Sequence, residues 1–259
     1  MATMGAGKPT ATVWDESLLA NPHAAVDKRT RVQRMFAAIA SSYDLNNRLH
    51  TLWTDQRWRR IAVDLAGVRP TDAVVDVACG TGDLAIAFAK ANPRCVIGID
   101  FTYEMLPIAR AKIDSQKSKI KNPHLVNGDA LSLPLADGSA DVVGIAFGIR
   151  NMTEPAAALR EARRILRPGG RLVILEFSLP SNRLVRWVYN IYFRHILPRT
   201  ATWISGDRSG AYRYLPQSVS TFSDRQEILR MMRDAGFEAV EPFPLSFGVC
   251  VCYRGWVRP

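Results

Sequence analysis

The chain has 259 residues, 47% of them apolar and 22% charged, a balance that supports a packed core and excludes global disorder. No run reaches the roughly 18 consecutive apolar residues that cross a bilayer, and the first twenty residues lack the apolar stretch of a secretory signal, so a cytoplasmic protein is expected. The formal charge of +10 is concentrated: residues 27–60 and 181–215 carry +5 each, around a near-neutral centre.

Residues 1–27 read as a flexible tail. Over 28–40, Val32, Phe36, Ile39 and Ala40 make an apolar stripe while Lys28, Arg29, Arg31 and Arg34 lie mostly off it, which predicts a helix. A second helix is expected from Trp53 to Leu65, stopped near Gly67, so 28–67 forms a helical cap. From Ala73 the pattern changes to apolar runs alternating with helical stretches. VVDVAC, CVIGID, HLVNGD, DVVGIAF and RLVILEF read as strands; DLAIAFAKA, YEMLPIARAKI and EPAAALREARRIL read as helices. This alternation predicts an α/β fold with a parallel sheet covered on both faces. Residues 68–180 form the core of this unit, and 181–220 interrupt it. Over 221–259, SDRQEILRMMRDAGF is a helix ended by Gly236, and FEAVEPF and FGVCVCYRGWV are two strands joined so closely that the last runs antiparallel.

The strongest motif is VVDVACGTGDLA. Gly80-Thr81-Gly82-Asp83-Leu84-Ala85 sits between a strand and a helix, where a ligand can approach the backbone at a helix N-terminus. The spacing alone also fits the dinucleotide pattern G-x-G-x-x-A. Charge favours another ligand. Asp76 and Asp83 would repel a pyrophosphate but suit the sulfonium and ammonium of S-adenosyl-L-methionine. Asp100 ends the second strand, where a carboxylate can hold both ribose hydroxyls, and Phe101 follows it. Asp129, ending the third strand, can reach an adenine amino group. The four cysteines, Cys79, Cys95, Cys250 and Cys252, form no C-x-x-C, and neither a metal site nor a disulfide is expected.

These motifs, with GDALSLPLADGSADVV, AFGIRN, RILRPGGRLVILEFS, HILPR, AYRYLPQSV and AGFEAV, follow one order over about 43–240, and SSYDLNNRLHTLWTDQRWRR precedes them. Together they resemble the ubiquinone/menaquinone biosynthesis C-methyltransferase family. The resemblance implies a seven-stranded class I S-adenosylmethionine-dependent methyltransferase sheet, Rossmann-like, and methyl transfer to a ring carbon of a prenylated quinol. It places cofactor contacts on Thr81, Asp100, Asp129 and Ala130. Ala146 stands where the family often has a serine, so a backbone contact is what remains there. Cys79 stands where the family often has glycine.

Arg150 follows the fourth strand, at the end of the sheet where ligands of open α/β folds bind. Arginine stays protonated, which excludes it as a base. It is expected to stabilise the quinol phenolate while a bound water takes the proton, with Asn151 orienting that water or the ring oxygen and Tyr43 closing the ring from the N-terminal side. The bland alternative is a loop arginine paired to Glu154 or Asp141. His195, Arg199, Tyr212 and Tyr214, in the inserted segment, are candidate substrate contacts. That segment is basic and aromatic, which predicts a lid, an apolar groove for the isoprenoid tail and a face resting on anionic lipid at the inner side of the membrane. A nucleic-acid partner is not expected, because F-G-I-R-N replaces the N-P-P-[YF] type of motif after the fourth strand. A small-molecule O- or N-methyltransferase would more often supply a His or acidic base there. A non-catalytic S-adenosylmethionine-binding subunit, the choice of naphthoquinol or benzoquinol, and a homodimer stay open.

Overall fold

The computed structural model of the chain describes residues 13–116, 120, 123–207 and 209–259. Seven strands form one sheet: β1 (Ala73–Val77), β2 (Cys95–Asp100), β3 (His124–Asn127), β4 (Ala140–Ala146), β5 (Leu166–Phe177), β6 (Glu238–Leu245) and β7 (Cys250–Trp256). Their order is β3-β2-β1-β4-β5-β7-β6. The first five run parallel, and β7 runs antiparallel to both β5 and β6, as the short β6–β7 connection requires. All five residues of β1 are buried, which is why its sequence is a continuous rather than alternating apolar run. The chain leaves β1 toward β2 on one side and returns to β4 on the other. The carboxyl ends of β1 and β4 therefore frame the crevice where ligands of this architecture bind.

The helices are α1 (Glu16–Leu19), α2 (Lys28–Thr51), α3 (Thr54–Ala66), α4 (Asp83–Lys90), α5 (Met105–Asp114), α6 (Pro155–Ile165), α7 (Arg183–Ile191), α8 (Leu197–Ser205), α9 (Ala211–Thr221) and α10 (Arg225–Asp234). Trp58, Leu84, Phe88 and Ile113 bring α3, α4 and α5 onto one face of the sheet. Leu159, Ile165, Ile228 and Met232 bring α6 and α10 onto the other. A third apolar cluster belongs to neither face. Met35 and Ile39 of α2 meet Tyr189, Phe193, Leu197, Ala201, Tyr212 and Tyr214 from the inserted segment. The insertion is a helical pack in which α7 passes into α8 through a π-helical turn, Tyr192–Ile196, and with α2 it forms a cap.

Three expectations are corrected. Helix α2 runs to Thr51 rather than stopping at residue 40. The apolar stripe ends at Ala40, but the polar stretch beyond it stays helical because its side chains find partners in the core, described below. Residues 13–27 are not a flexible tail. Trp14 is fully buried against Tyr214, with ring centroids 4.6 Å apart, and Asp15 caps α1 by accepting from the Leu18 N–H. The Val13 and Trp14 amides both donate to the Ser209 carbonyl, tying this segment to the insertion. Residues 1–12 lie outside the described residues. The second helix begins at Thr54, because Leu52 and Trp53 both take left-handed backbone conformations between α2 and α3.

Candidate functional site

Three adjoining cavities occupy the carboxyl end of the sheet under the cap. The first, with about 840 Å³ of empty space including its mouth, lies over Gly80, Asp100, Phe101, Asp129, Ala130 and Ala146. The second, about 580 Å³, is bordered by Phe36, Phe147, Phe177, Tyr212 and Tyr214, with Arg59 and Arg150 among them. The third, about 290 Å³, lies over Asp76, Gly80, Thr81 and Asp83. Tyr43 borders all three, and Phe147 borders the first two. Burial pushes the Tyr43 phenol above its ordinary range against the opposing pull of Arg59, so at neutral pH it is a protonated donor at the seam.

The glycine turn owes its shape to local chemistry. Gly82 has φ +82°, a conformation that side-chain-bearing residues rarely adopt, and a Cβ there would press on the Ala109 Cβ at 3.1 Å. The Asp100 carboxylate accepts the Gly80 amide and the Thr102 amide, each at 2.7 Å, one on each oxygen. That fixes the turn, and the same carboxylate borders the first cavity. Burial raises the Asp100 carboxyl above its ordinary value. Asp76 is fully buried, and neither of its oxygens has a hydrogen-bond partner among the described residues. Burial pushes its carboxyl well up, against the pull of Arg59. An unpartnered carboxylate of this kind is a strong demand for a cationic or donor ligand.

Other predicted contacts are already engaged within the protein. Asp83 is not a free acid facing a cationic ligand: Lys112 bonds one of its oxygens, Arg48 approaches the same oxygen at 3.3 Å, and Gln56 donates to the other at 2.9 Å. Burial pushes the Asp83 carboxyl up, but Arg59, Lys112 and Arg48 outweigh it and hold it below its ordinary value. The Thr81 hydroxyl donates to Asp44 at 2.6 Å, and Lys112 donates to the other Asp44 oxygen at 2.7 Å. Asp44, Arg48 and Gln56 belong to α2 and α3, so this network latches the cap to the glycine turn. Asp129 pairs with Arg29 at 2.7 Å, and the Arg29 guanidinium lies 4.5 Å from the Phe101 ring centroid.

The F-G-I-R-N turn explains why an apolar strand ends in a guanidinium and an amide. Phe147 holds a left-handed backbone (φ 57°), and its carbonyl accepts from Arg150 Nη1 at 2.8 Å and from Asn151 Nδ2 at 3.1 Å. Gly148 follows because a Cβ there would stand 2.7 Å from the Ala78 Cβ. Arg150 is buried and pairs neither with Glu154 nor with Asp141. Its partner is Glu176, fully buried at the end of β5, at 2.6 Å. Glu176 outweighs burial and holds the guanidinium firmly protonated. The Asn151 amide is engaged at both ends, since its oxygen accepts from the Tyr214 hydroxyl at 2.9 Å. Behind the turn, the buried Lys28 ammonium donates to the Arg150 and Met152 carbonyls at 2.9 and 2.6 Å. Its third contact is His23 Nδ1 at 3.1 Å, and the other His23 nitrogen lies 2.9 Å from the Ser218 carbonyl, which fixes the tautomer as Nε2–H.

Tyr212 and Tyr214 border the aromatic cavity. His195 and Arg199 do not; they border a separate surface groove with Glu16, Arg194 and Arg213. Sequence reasoning missed Glu176, Arg59, Lys28, Asp44 and Lys112. The available signal was a carboxylate inside the apolar run RLVILEF, which must meet a cation once buried.

The ubiE/COQ5 methyltransferase family matches residues 24–257. The demethylmenaquinone methyltransferase of Deinococcus radiodurans is 43% identical over 230 residues, covering 88% of this chain and 93% of that protein. A ubiquinone/menaquinone biosynthesis C-methyltransferase of Geobacter sp. strain M21 is 40% identical, covering 90% of this chain and 99% of that one. Among solved structures, a SAM-dependent methyltransferase from Aquifex aeolicus superposes with a TM-score of 0.56 at 19% identity, over 77% of this chain and 89% of that one. The last likeness shows the fold. The site residues agree with it: the buried Asp76 and Asp100 beside the glycine turn fit S-adenosylmethionine.

Proposed function

The chain belongs to the ubiE/COQ5 methyltransferase family, and on that premise we propose that it methylates a ring carbon of a prenylated quinol, converting demethylmenaquinol to menaquinol. The C-methylation step of ubiquinone biosynthesis is the second reading, favoured by the names of relatives such as the Geobacter protein. The observation that carries the proposal is the aromatic cavity that meets the acid-lined cofactor cavity at Tyr43 and Phe147. A flat, electron-rich ring suits aromatic walls, and a ring carbon at that seam faces the donor.

When bound, S-adenosylmethionine supplies an electrophilic methyl group on a positively charged sulfur. The protein's residues do the rest. Phe36, Phe147 and Phe177 hold the ring and exclude bulk solvent. Arg150 presents a positive charge to the same cavity, favouring the phenolate over the neutral quinol, and a bound water takes the phenolic proton. As the methyl passes from the sulfur to the ring carbon, that carbon's own C–H proton is then lost to water, which restores the aromatic ring. Asn151 acts as a positioning residue through the Phe147 carbonyl and Tyr214, rather than by orienting that water. Tyr43 donates its hydroxyl hydrogen at the seam. Turnover by Arg150→Lys and Arg150→Ala tests this role: a loss of about 10²–10³ is expected, and near-normal turnover of the folded variants removes Arg150 from the mechanism.

Among the described residues no helix is long and apolar enough to cross a membrane. We place the protein peripherally on the inner, anionic face. Supporting this, Leu184, Trp187, Val188 and Ile191 make an exposed apolar face on α7, with Arg183 and Arg186 on the same helix and Trp203 exposed on α8. The decisive experiment for the reaction is incubation with labelled S-adenosylmethionine and each reduced quinol, followed by mass analysis of the product. Methyl on the naphthoquinol ring carbon is expected. Label on a heteroatom, or on neither quinol, would overturn the proposal.

A further inference from the structure

The aromatic cavity holds two arginines, and each brings its own acid: Arg59 pairs with Asp55 at 2.7 Å and Arg150 with Glu176 at 2.6 Å. Such a pair is neutral as a whole and adds little field at a distance. The same holds for Arg171, which pairs with Asp72. Of the buried cations Lys28, Arg59, Arg150 and Arg171, Lys28 alone has no carboxylate partner among the described residues.

Lys28 borders none of the three cavities, so neither substrate touches it. It stands behind the F-G-I-R-N turn at the start of α2. Its ammonium donates to the Arg150 carbonyl at 2.9 Å and to the Met152 carbonyl at 2.6 Å, and meets His23 Nδ1 at 3.1 Å. His23 Nε2 donates to the Ser218 carbonyl at 2.9 Å, and the Ser218 hydroxyl accepts from Arg150 Nε at 3.4 Å. Lys28, His23, Ser218 and Arg150 thus close a ring of contacts that holds Arg150 by both its backbone and its side chain. Every acceptor of the ammonium is neutral. Carbonyl oxygens could be satisfied by an uncharged donor; an ammonium leaves one whole positive charge at the turn, where burial weakens screening.

We propose that Lys28 is a positioning residue for methyl transfer: its ammonium fixes the backbone of Arg150 and adds, behind the neutral Arg150–Glu176 pair, the net positive charge that favours the quinol phenolate. The inference rests on the quinol reading of the aromatic cavity.

This charge is lost within an accessible range. Burial, with a further push from Arg150, lowers the ammonium from 10.5 to about 8. The charged and titratable groups around it are His23, itself lowered by burial, and Arg150, with Glu176 of β5 behind it. Tyr214 of α9 bonds Asn151 in the same turn, and burial keeps its phenol protonated. On α2 itself Arg31 pairs with Asp27, and Arg29 with Asp129. Above about pH 8 a neutral Lys28 amine can still donate to the carbonyls but no longer carries charge.

The test measures kcat and the quinol KM of the full chain at saturating S-adenosylmethionine, with a reduced naphthoquinol lacking the ring methyl. Lys28→Met is expected to lower kcat by about 10- to 100-fold at neutral pH, less than the 10²–10³ of a donor that touches the oxyanion, with KM within about twofold of wild type. Its deficit is expected to shrink by about threefold or more as pH rises from 7 to 9.5, because the wild type loses the same charge over that range. Lys28→Arg carries a charge that does not titrate, so its kcat relative to wild type is expected to rise over the same range. Near-normal kcat in folded Lys28→Met overturns the proposal. So does a deficit that is the same at every pH, which would show a merely structural role. Should Lys28→Met not fold, a Lys28→Arg to wild-type ratio that stays flat with pH overturns it instead. Absence of methyl transfer to either quinol by the wild type would refute the quinol reading itself.

Discussion

Replacing Glu176 by Gln keeps the shape of the side chain and removes one charge from a pair buried on both sides. Glu176 is fully buried, Arg150 is 5% exposed, and their polar atoms are 2.6 Å apart. Removing one partner of such a pair leaves the other charge uncompensated and typically costs about 3–5 kcal/mol. In a chain of this size each kcal/mol lowers Tm by about 2–4 °C, so Glu176→Gln is expected to lower it by about 6–20 °C. Thermal denaturation followed by circular dichroism reads this directly. The control is the double variant Arg150→Met, Glu176→Leu, in which neither charge remains and the Phe147 carbonyl keeps its bond from Asn151. Pairs replaced by apolar residues of similar volume are often neutral or stabilising, so most of the lost Tm should return. On the proposed mechanism the double variant should nevertheless stay inactive, because it lacks the positive charge assigned to the phenolate. A Glu176→Gln variant within about 2 °C of wild type would refute the reasoning, since it would mean that the guanidinium reaches water when its partner is lost.

Three further outcomes follow from the geometry. Burial lowers the Lys28 ammonium from its ordinary 10.5 to about 8, and its neighbour His23 is also lowered by burial. The unfolded chain therefore binds the extra proton between pH 8 and 10.5, so Lys28's contribution to stability rises with pH across that window. Wild type should gain on Lys28→Met in urea denaturation from pH 8 to 10.5, and a gap that stays flat or narrows would count against the burial. Gly148→Ala should cost about 1–3 kcal/mol, because its Cβ would meet the Ala78 Cβ at 2.7 Å, and Ala78→Gly in the same chain should restore most of it. Asp100→Asn must set an amide N–H against the Gly80 or Thr102 N–H. It should weaken S-adenosylmethionine by about tenfold or more in calorimetric titration, and unchanged affinity would exclude Asp100 from the ribose site.

The sheet was legible because buried parallel strands write themselves as unbroken apolar runs, and the turns after β1 and β4 stand out as glycine against them. The antiparallel β7 followed from a connection too short for a crossover. What stayed hidden were contacts made over long sequence separations. The helical stripe of α2 fades at Ala40, yet Asp44 reaches Thr81 and Tyr43 reaches the cavity seam, and no periodicity announces either. Residues 13–27 carry no repeating pattern, so the burial of Trp14 against Tyr214 left no trace in the sequence. The acids of the cofactor site were visible singly, but their partners were not. Asp83 and Asp129 looked free because Lys112 and Arg29 lie 29 and 100 positions away along the chain.

That difference changes the electrostatic picture of the site. Read singly, the residues suggest a ring of free acids facing one free guanidinium. Folded, the charges come largely in pairs: Asp83 with Lys112 and Arg48, Asp129 with Arg29, Asp55 with Arg59, Glu176 with Arg150. A buried pair contributes little net field at a distance, but it fixes where each charge sits, which is what a preorganised site requires. Arg59 and Arg150 are set 5.2 and 5.5 Å from the rings of Phe147 and Phe177, which are themselves 4.7 Å apart. Phe177 then meets Phe193 at 6.0 Å, and Phe193 stacks on Tyr189 at 4.6 Å, so the aromatic contacts run from the F-G-I-R-N turn into the inserted helices. Lys28 grips the same turn from α2. The cap therefore cannot shift far without moving the backbone of Phe147. Cap position, ring position and the placement of both arginines are set by one connected network, and a substrate tail that draws α7 onto a lipid surface would act on that network as a whole.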